Sequence, residues 1–272
     1  MIKLKKWFSV GFVFMLLFGI FAGTALADGH EDNAMVRVFH ASPDAPEVDV
    51  YVNGEAAVEG AGFKDITGYL ELPAGDHDVA IFPAGEGGEG DPVIEETLTI
   101  EAGHSYTVAA TNLLESLTLE VIHDDNTVDE GMTKIRVGHL SPGAPAVDVG
   151  LAGGDALFEG AEFFAVTDYL ELDPGTYDLE IRAAGTEDAV LDLSGTELQE
   201  NMIYSAFAVG EDADNLEVVV VADEAHHMPS EMPQTGMGGA SQSNSFLPLI
   251  LTFAAGGALF FVIFRRKAAF QA

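Results

Sequence analysis

A histidine, a serine and an aspartate occur together twice in the chain, and these residue types could form a hydrolytic triad. The two sets are His40, Ser42 and Asp49, and His139, Ser141 and Asp148. In a triad the histidine activates the serine and the aspartate orients the histidine. Here each serine stands two residues after its histidine and directly before a proline, without the glycine-framed turn that exposes a nucleophile. The spacing therefore favours a structural motif, and no catalytic residue is predicted.

Each set belongs to a longer motif, H-x-S-P-x-A-P-x-V-D-V. Its prolines fix φ and cannot donate a ladder hydrogen bond, so the motif predicts a rigid connection between two strands. We expect Ser42 and Asp49 to accept backbone N–H groups of this connection, and each motif aspartate to pair with an arginine on a neighbouring strand. The motif residues shared by the two copies are Arg37, His40, Ser42, Pro43, Pro46 and Asp49, and Arg136, His139, Ser141, Pro142, Pro145 and Asp148.

Three further segments carry groups that could bind ions. The acidic stretch Asp124-Asp125-Asn126…Asp129-Glu130 offers oxygen ligands for calcium, but it lacks the spacing of an EF-hand loop, so a solvated linker is favoured. His226-His227 could hold a transition metal only weakly, because the two residues are adjacent in a stalk. The glycine-rich residues 86–90 are flanked by acids and would repel phosphate. No metal site and no cofactor are predicted.

The motif stands inside a long repeat. Residues 36–54 read VRVFHASPDAPEVDVYVNG, and residues 135–153 read IRVGHLSPGAPAVDVGLAG, at an offset of 99. Further along, Tyr106 corresponds to Tyr204, and we align Leu119-Glu120-Val121 with Leu216-Glu217-Val218. A period near 100 residues is the size of a whole domain rather than of a solenoid unit, so the chain contains a tandem duplication.

The local pattern in each copy is that of β-strands. Val48, Val50 and Val52 alternate with polar residues, and so do Leu117, Leu119 and Val121, which indicates strands with one buried face. Turn residues separate these runs. The predicted fold class is all-β, with two tandem immunoglobulin-like antiparallel β-sandwich domains; a small barrel is the alternative.

The N-terminus predicts a cleaved secretory signal peptide. Three lysines precede an apolar run, and Ala25-Leu26-Ala27 forms a small-x-small cleavage site directly before Asp28.

The C-terminus combines an apolar run with a short motif. Residues 246–264 contain no charge, are long enough to cross a bilayer as a transmembrane helix, and precede three basic residues. Upstream lie Met232, Pro233, Gln234, Thr235 and Gly236, followed by a polar spacer. This order resembles the LPxTG cell-wall sorting signals of Gram-positive bacteria, with Met232 in place of the usual leucine. The resemblance implies that a sortase cleaves the Thr235–Gly236 bond and joins the chain to peptidoglycan. Single-pass membrane anchoring by residues 246–264, before or instead of this processing, is the alternative.

Charge restricts the partners. The full chain has a net charge of −34, and removal of both ends leaves five basic residues against 45 acidic ones, a balance of −40. A protein binds nucleic acid through basic surface patches, so a nucleic acid is not expected as a partner of this acidic chain.

The motif together with the downstream Tyr-Leu-x-Leu-x-x-Gly segment resembles the domain of unknown function 4397 family, over residues 35 to about 222. This resemblance implies β-rich domains of exported bacterial proteins and no established activity. The predicted organisation is signal peptide 1–27, linker 28–34, first sandwich 35–125, linker 126–133, second sandwich 134–222, stalk and sorting motif 223–245, transmembrane segment 246–264 and basic cytoplasmic tail 265–272.

The expected function is non-enzymatic: display, adhesion or an envelope-structural role at the cell surface. The alternatives are a surface enzyme such as a carbohydrate hydrolase, which would need paired carboxylates, and an acidic cation-binding wall protein. The expected partners are sortase and cell-wall peptidoglycan, with an extracellular glycan or protein, or calcium, as further ligands.

Overall fold

The computed structural model of the protein describes residues 33–225 and 262–264. The signal peptide, its cleavage residues Ala25, Ala27 and Asp28, the pair His226-His227 and the sorting motif 232–236 lie outside the described residues. So does the apolar run 246–264 except for its last three residues.

Eight strands build the first domain. They are β1 (Asn33–His40), β2 (Val48–Val52), β3 (Glu55–Ala61), β4 (Leu70–Pro73), β5 (Gly75–Pro83), β6 (Ile94–Ile100), β7 (Ser105–Thr111) and β8 (Thr118–Asp124). A short 3₁₀ turn, Leu114–Ser116, lies between β7 and β8. The strands form two sheets of order β4-β1-β7-β8 and β3-β2-β5-β6.

The second domain repeats this arrangement. Its strands are β9 (Thr133–His139), β10 (Val147–Leu151), β11 (Ala156–Ala161), β12 (Leu170–Leu172), β13 (Gly175–Ala183), β14 (Ala189–Leu198), β15 (Met202–Val209) and β16 (Glu217–Glu224), with the 3₁₀ turn Ala213–Asn215 before β16. The sheet orders are β12-β9-β15-β16 and β11-β10-β13-β14. The prediction of an all-β chain with two sandwich-like units is therefore confirmed.

The prediction of purely antiparallel, immunoglobulin-like sheets is wrong in two respects, strand direction and strand order. β1 pairs with β7 in parallel, and β9 pairs with β15 in parallel, while their other neighbours are antiparallel. The strand orders also differ from the immunoglobulin arrangement, in which the first, second, fifth and fourth strands share a sheet. The reason for the error is that side-chain alternation reports which face is buried but not the direction of the neighbouring strand.

The last described segment is a short strand, β17 (Val262–Phe264), which pairs antiparallel with β16. Among the described residues there is no helix long and apolar enough to span a membrane.

The core of each domain lies between its two sheets. In the first domain Val48 and Val50 of β2 face Val36 of β1 and Val108 of β7, and all four are buried. The predicted alternation is thus confirmed for β2. It is wrong at the end of β8, where Val121 is 39% exposed while Ile122 and Asp124 on the opposite face are each 4% exposed.

Strand pairing corrects the register of the repeat. Thr111 faces Thr118 in the first domain, and Val209 faces Glu217 in the second, so β8 and β16 correspond at an offset of 99. Leu119 is therefore equivalent to Val218, not to Leu216 as the sequence alignment has it. The second domain also extends past residue 222, because β16 continues to Glu224; Asp223 is part of the fold rather than of a stalk.

Candidate functional site

The two motif histidines close the connections that follow β1 and β9. His40 Nε2 lies 3.1 Å from the carbonyl oxygen of Pro46, and His139 Nε2 lies 3.0 Å from that of Pro145. Both rings are almost completely buried. Burial lowers the pKa of His139, although hydrogen bonding to the Pro145 carbonyl acts in the opposite direction. A neutral imidazole that donates to a carbonyl is suited to fixing a loop.

The motif serines are not held as nucleophiles. Ser42 Oγ donates to Asp44 Oδ1 at 3.4 Å, and Ser141 Oγ donates to the carbonyl oxygen of Gly210 at 2.8 Å. The Ser141 backbone N–H, not its hydroxyl, contacts His139 Nδ1. The expectation that Ser42 accepts a backbone N–H is wrong, because no backbone N–H of the described residues donates to its hydroxyl, and the hydroxyl bonds Asp44 instead. Neither serine hydroxyl is hydrogen-bonded to the motif histidine, as a triad requires.

The motif aspartates bind backbone donors as predicted. Asp49 Oδ1 accepts from Gly60 N at 2.7 Å and Oδ2 accepts from Gly85 N at 2.9 Å. Asp148 accepts from Gly160 N at 2.6 Å and Gly185 N at 2.8 Å. The Gly185 and Gly160 amides hold the pKa of Asp148 below its ordinary value. Gly60 and Gly160 lie at irregular positions of β3 and β11, and Gly85 and Gly185 lie in the turns after β5 and β13. Each aspartate therefore ties a neighbouring strand and a turn to its own strand.

The predicted pairing of these aspartates with Arg37 and Arg136 is wrong. Arg37 is on β1 and Asp49 is on β2, and these strands belong to opposite sheets of the sandwich. The arginine side chains instead extend from the outer faces of their sheets towards the other domain, and each is at most 2% exposed. The same outer faces in the two domains therefore form an interface.

Arg37 reaches from the first domain into the second. Its Nη1 donates to the carboxylate of Asp223 at 2.8 and 3.1 Å, and its Nε donates to Thr107 Oγ1 at 2.7 Å. Its Nη2 lies 3.6 Å from Asp124 Oδ2. Burial opposes the cation, but the carboxylates of Asp124 and Asp223 outweigh it and raise the pKa of Arg37. The buried charge is therefore compensated across the interface.

Arg136 makes the reciprocal contacts from the second domain. Its Nη2 donates to Asp124 Oδ1, its Nη1 donates to the carbonyl oxygen of His123 at 2.6 Å, and its Nε donates to Ser205 Oγ at 2.9 Å. Asp124 Oδ2 also accepts from the Tyr69 hydroxyl at 2.7 Å. Asp124 is thus a buried structural residue, which corrects its assignment to a solvated acidic linker.

A tyrosine lies under each arginine. The guanidinium of Arg37 is 4.6 Å from the ring centroid of Tyr69, and that of Arg136 is 4.6 Å from the ring centroid of Tyr169. Such cation–π contacts are strongest when they are desolvated, as here. The reciprocal ion pairs Arg37–Asp223 and Arg136–Asp124 have the pattern of an isologous interface, in which equivalent residues contact each other's partners.

An apolar cluster extends the interface. Phe39 and Phe207 are fully buried, with ring centroids 5.3 Å apart. They come from non-equivalent strands, because Gly138 replaces Phe39 in the second copy. A Cβ atom on Gly138 would lie 2.5 Å from Phe207 Cδ1, so this glycine makes room for the ring. The whole cluster comprises Phe39, Ala41, Ile66, Ala109, Ile122, Leu140, Phe207, Val209, Val219 and Val221.

The family model described as "Domain of unknown function (DUF4397)" matches the chain twice, over residues 34–150 and 148–235. The chain belongs to the DUF4397 family. No curated protein matches it. Among solved structures, a crystal structure of a candidate cell adhesion protein from Parabacteroides distasonis is 10% identical and covers 72% of this chain and 100% of that chain. Its TM-score of 0.21 is too low to bear on the fold or the function of the DUF4397 chain.

Two of the remaining predicted segments, the acidic joint and the glycine-rich loop, lie in the described part of the DUF4397 chain. No group of three or more His, Asp or Glu side chains is arranged to hold a metal within residues 33–225. Asp125 instead accepts from Lys134 Nζ at 2.5 Å and from Thr127. The glycine-rich loop packs on an aromatic ring, since a Cβ on Gly88 would lie 2.8 Å from Tyr51.

The sequence alone missed the acidic half of the DUF4397 interface. With the offset of 99 from the strand pairing, Asp124 aligns with Asp223, just as Arg37 aligns with Arg136. Retention of an aspartate in both copies is the signal that could have revealed it. The misaligned register of β8 and β16 concealed that signal.

Proposed function

We propose that the protein is an exported, non-enzymatic display or adhesion module on the surface of a Gram-positive bacterium, attached to the cell wall by sortase at Thr235–Gly236. The observation that carries the non-enzymatic part is the use of the shared motif. His40 and His139 fix loops, Asp49 and Asp148 bind backbone amides of neighbouring segments, and both arginines join the domains. The groups that looked catalytic are all engaged in building the molecule.

The interface supports a rigid display unit. Two domains joined only by residues 125–132 would move independently unless their interface is large and apolar. Here buried ion pairs and the Phe39–Phe207 cluster join the β4-β1-β7-β8 sheet of the first domain to the β12-β9-β15-β16 sheet of the second. A further ion pair between the domains joins Lys64 Nζ to Glu217 at 2.9 Å. A rigid pair presents its loops in one fixed arrangement, which suits recognition at a surface.

The acidic groups at the domain joint are poorly suited to sugar hydrolysis. A glycosidase needs one carboxyl group that stays protonated and a second that is ionised. Asp124 is bound by the guanidinium of Arg136. For Asp125, burial acts to raise the pKa, but the bonds from Lys134 and Thr127 lower it below the usual value. Asp125 is therefore unsuited to the role of the protonated carboxyl group.

Fractionation of a Thr235→Ala variant tests the anchoring. The parent is expected in the cell-wall fraction, released only by wall-digesting enzymes, whereas the variant should move to the membrane fraction or the medium. Gln234→Ala is the matched control, because that position is the variable one in the sorting motif and the variant should stay wall-linked. Retention of Thr235→Ala in the wall would rule out sortase attachment at this bond.

A further inference from the structure

A groove of about 500 Å³ opens at the end of the first domain, where β8 leads into the inter-domain connection. It is lined by the ends of β1, β4, β7 and β8 and by residues 125–127. Its volume is within the range of sites that bind small molecules. None of the motif residues lies in it, so the fold motif does not explain it.

One wall of the groove is aromatic. The rings of His104 and His123 meet edge to face with centroids 4.7 Å apart, and His123 meets Tyr106 in the same way at 4.8 Å. Tyr106 is buried and its hydroxyl accepts from the backbone N–H of Glu101 at 3.2 Å, so the base of the stack is fixed. The two histidine rings are solvent-exposed. A bound molecule would meet a preformed surface, which reduces the entropy cost of binding.

The other side of the groove presents oxygen acceptors. Asn126 Nδ2 donates to Ser105 Oγ at 2.7 Å, which turns the amide oxygen the other way. That Oδ1 atom is buried and has no hydrogen-bond partner among the described residues. A buried acceptor without a partner is unfavourable, and it would gain a partner if the Asn126 amide turned towards a ligand donor in the groove. The carboxylates of Glu71 and Asp125 line the same groove.

The second domain serves as an internal comparison. Tyr204 is the counterpart of Tyr106, and its hydroxyl likewise accepts a backbone N–H, from Gln199 at 2.9 Å. The two histidines, however, are replaced by Met202 and Ala222. The fold therefore needs the tyrosine but not the histidines, so a role for the histidines must be specific to the groove of the first domain.

The geometry points to a neutral pyranose sugar as the ligand of this groove. Sugar hydroxyl groups donate hydrogen bonds to carboxylate and amide oxygens, and the C–H face of a pyranose ring packs against an aromatic wall such as His104 and His123. The carboxylates would repel phosphorylated sugars and uronic acids. That the groove binds the sugar without cleaving it rests on the non-enzymatic function proposed above.

Titration of the protein, labelled on its histidine rings, tests this inference by NMR. The probes are the methyl pyranosides of glucose, galactose, mannose and N-acetylglucosamine at millimolar concentrations, together with glucuronic acid. At least one neutral glycoside should shift the His104 and His123 signals, and glucuronic acid should not. In the His123→Ala variant the affinity for that glycoside should fall about tenfold, a loss equal to about 1.4 kcal/mol.

His30→Ala is the control, since it removes a histidine that lies outside the described residues and should leave sugar binding unchanged. The melting temperatures of both variants should match that of the parent, which separates lost binding from lost folding. The inference is overturned if no glycoside moves the two signals or if His123→Ala binds the glycoside as tightly as the parent. It is also overturned if glucuronic acid moves the signals as strongly as the neutral glycosides do. None of these results bears on wall attachment, which the Thr235→Ala fractionation measures separately.

Discussion

In the first domain the two sheets enclose a cavity of about 40 Å³, lined largely by valines of β1, β2 and β7 and by His77. At the equivalent position the second domain has Tyr177. Both side chains make the same bond to the residue four positions earlier. His77 Nε2 lies 2.7 Å from the Pro73 carbonyl oxygen, and the Tyr177 hydroxyl donates to that of Asp173 at 2.7 Å. The two copies keep the contact and differ in the volume that fills the core.

The interface between the copies likewise keeps its polar contacts and differs in its apolar packing. The arginine, tyrosine and aspartate of each copy are kept, because each charge has a partner in the other domain. The phenylalanines are not kept at equivalent places: Phe39 comes from β1, and Phe207 comes from β15. One ring from each side fills the space, and a side chain in place of Gly138 would clash with Phe207. Both copies therefore keep the residues of the ion pairs, whereas in the apolar cluster a large ring in one copy corresponds to a small residue at the equivalent position of the other.

The strongest way to break the symmetry is to remove Asp124. The Asp124→Ala variant leaves Arg136 without its carboxylate and Tyr69 without its acceptor, both in a buried site. Loss of one partner of a buried ion pair costs about 3–5 kcal/mol. Urea denaturation should show that loss in the free energy of unfolding, with the two domains unfolding in separate transitions.

The matched substitution in the other copy is Asp223→Ala. Within the described part of the chain Asp223 forms an ion pair with Arg37 alone, and its side chain is 19% exposed, so water replaces part of the lost interaction. Its cost should be clearly smaller than that of Asp124→Ala. Equal losses would show that the two aspartates contribute alike and that the interface is more symmetric than its contacts indicate.

Packing complementarity can be broken at Gly138. In Gly138→Ala the new methyl group meets Phe207 at 2.5 Å, so the ring must move against Phe39. Overpacking of this kind costs about 1–3 kcal/mol, measurable by thermal or urea unfolding. The same substitution in a Phe207→Leu background should cost much less, since the clashing ring is absent. An unchanged cost in that background would place the strain elsewhere.

Part of this molecule was predictable from sequence because side-chain alternation reports burial directly. The alternation of Val48 and Val50 predicts a strand with one face in the core, and both residues are buried there. Alternation does not say whether a second domain covers the opposite face. Arg37 on that face was therefore predicted to pair with Asp49 of its own sandwich. The carboxylate that it binds across the interface, that of Asp223, is 186 residues away in the chain.

The groove was beyond sequence reasoning for a similar physical reason. His104 and His123 are on different strands, and only the register of β7 against β8 brings their rings together. That register could not be derived from the repeat, because the second copy has no histidine at either position to align. Differences between copies, rather than shared residues, mark this site.

The bonds from backbone amides to the motif aspartates can be tested by the pH dependence of stability, with a smaller expected effect. The amides of Gly185 and Gly160 lower the pKa of Asp148 below 3.8, so its contribution to stability is present above that pH and is lost as the pH falls through the folded-state pKa. Asp148→Asn should therefore lower stability by about 1 kcal/mol at neutral pH, with a difference from the parent that shrinks in acid. Asp155→Asn, an exposed control, should show neither effect. If the difference in stability between Asp148→Asn and the parent stayed constant from neutral to acid pH, the role of the ionised Asp148 would be contradicted.

The smallest expected effect concerns the cavity itself. His77→Tyr places the side chain of the second domain into the first, where the ring should fill part of the cavity and its hydroxyl should reach the Pro73 carbonyl oxygen. The loss of the contact between His77 Nδ1 and Asn53 Nδ2, now 2.9 Å, offsets part of the gain. Since cavity filling commonly adds about 0.5–2 kcal/mol, a net stabilisation near the lower end is expected in thermal unfolding. The reverse change, Tyr177→His, should destabilise the protein. If His77→Tyr were destabilising instead, the valine-lined space would be too narrow for the ring, and the two cores would differ in shape as well as in filling.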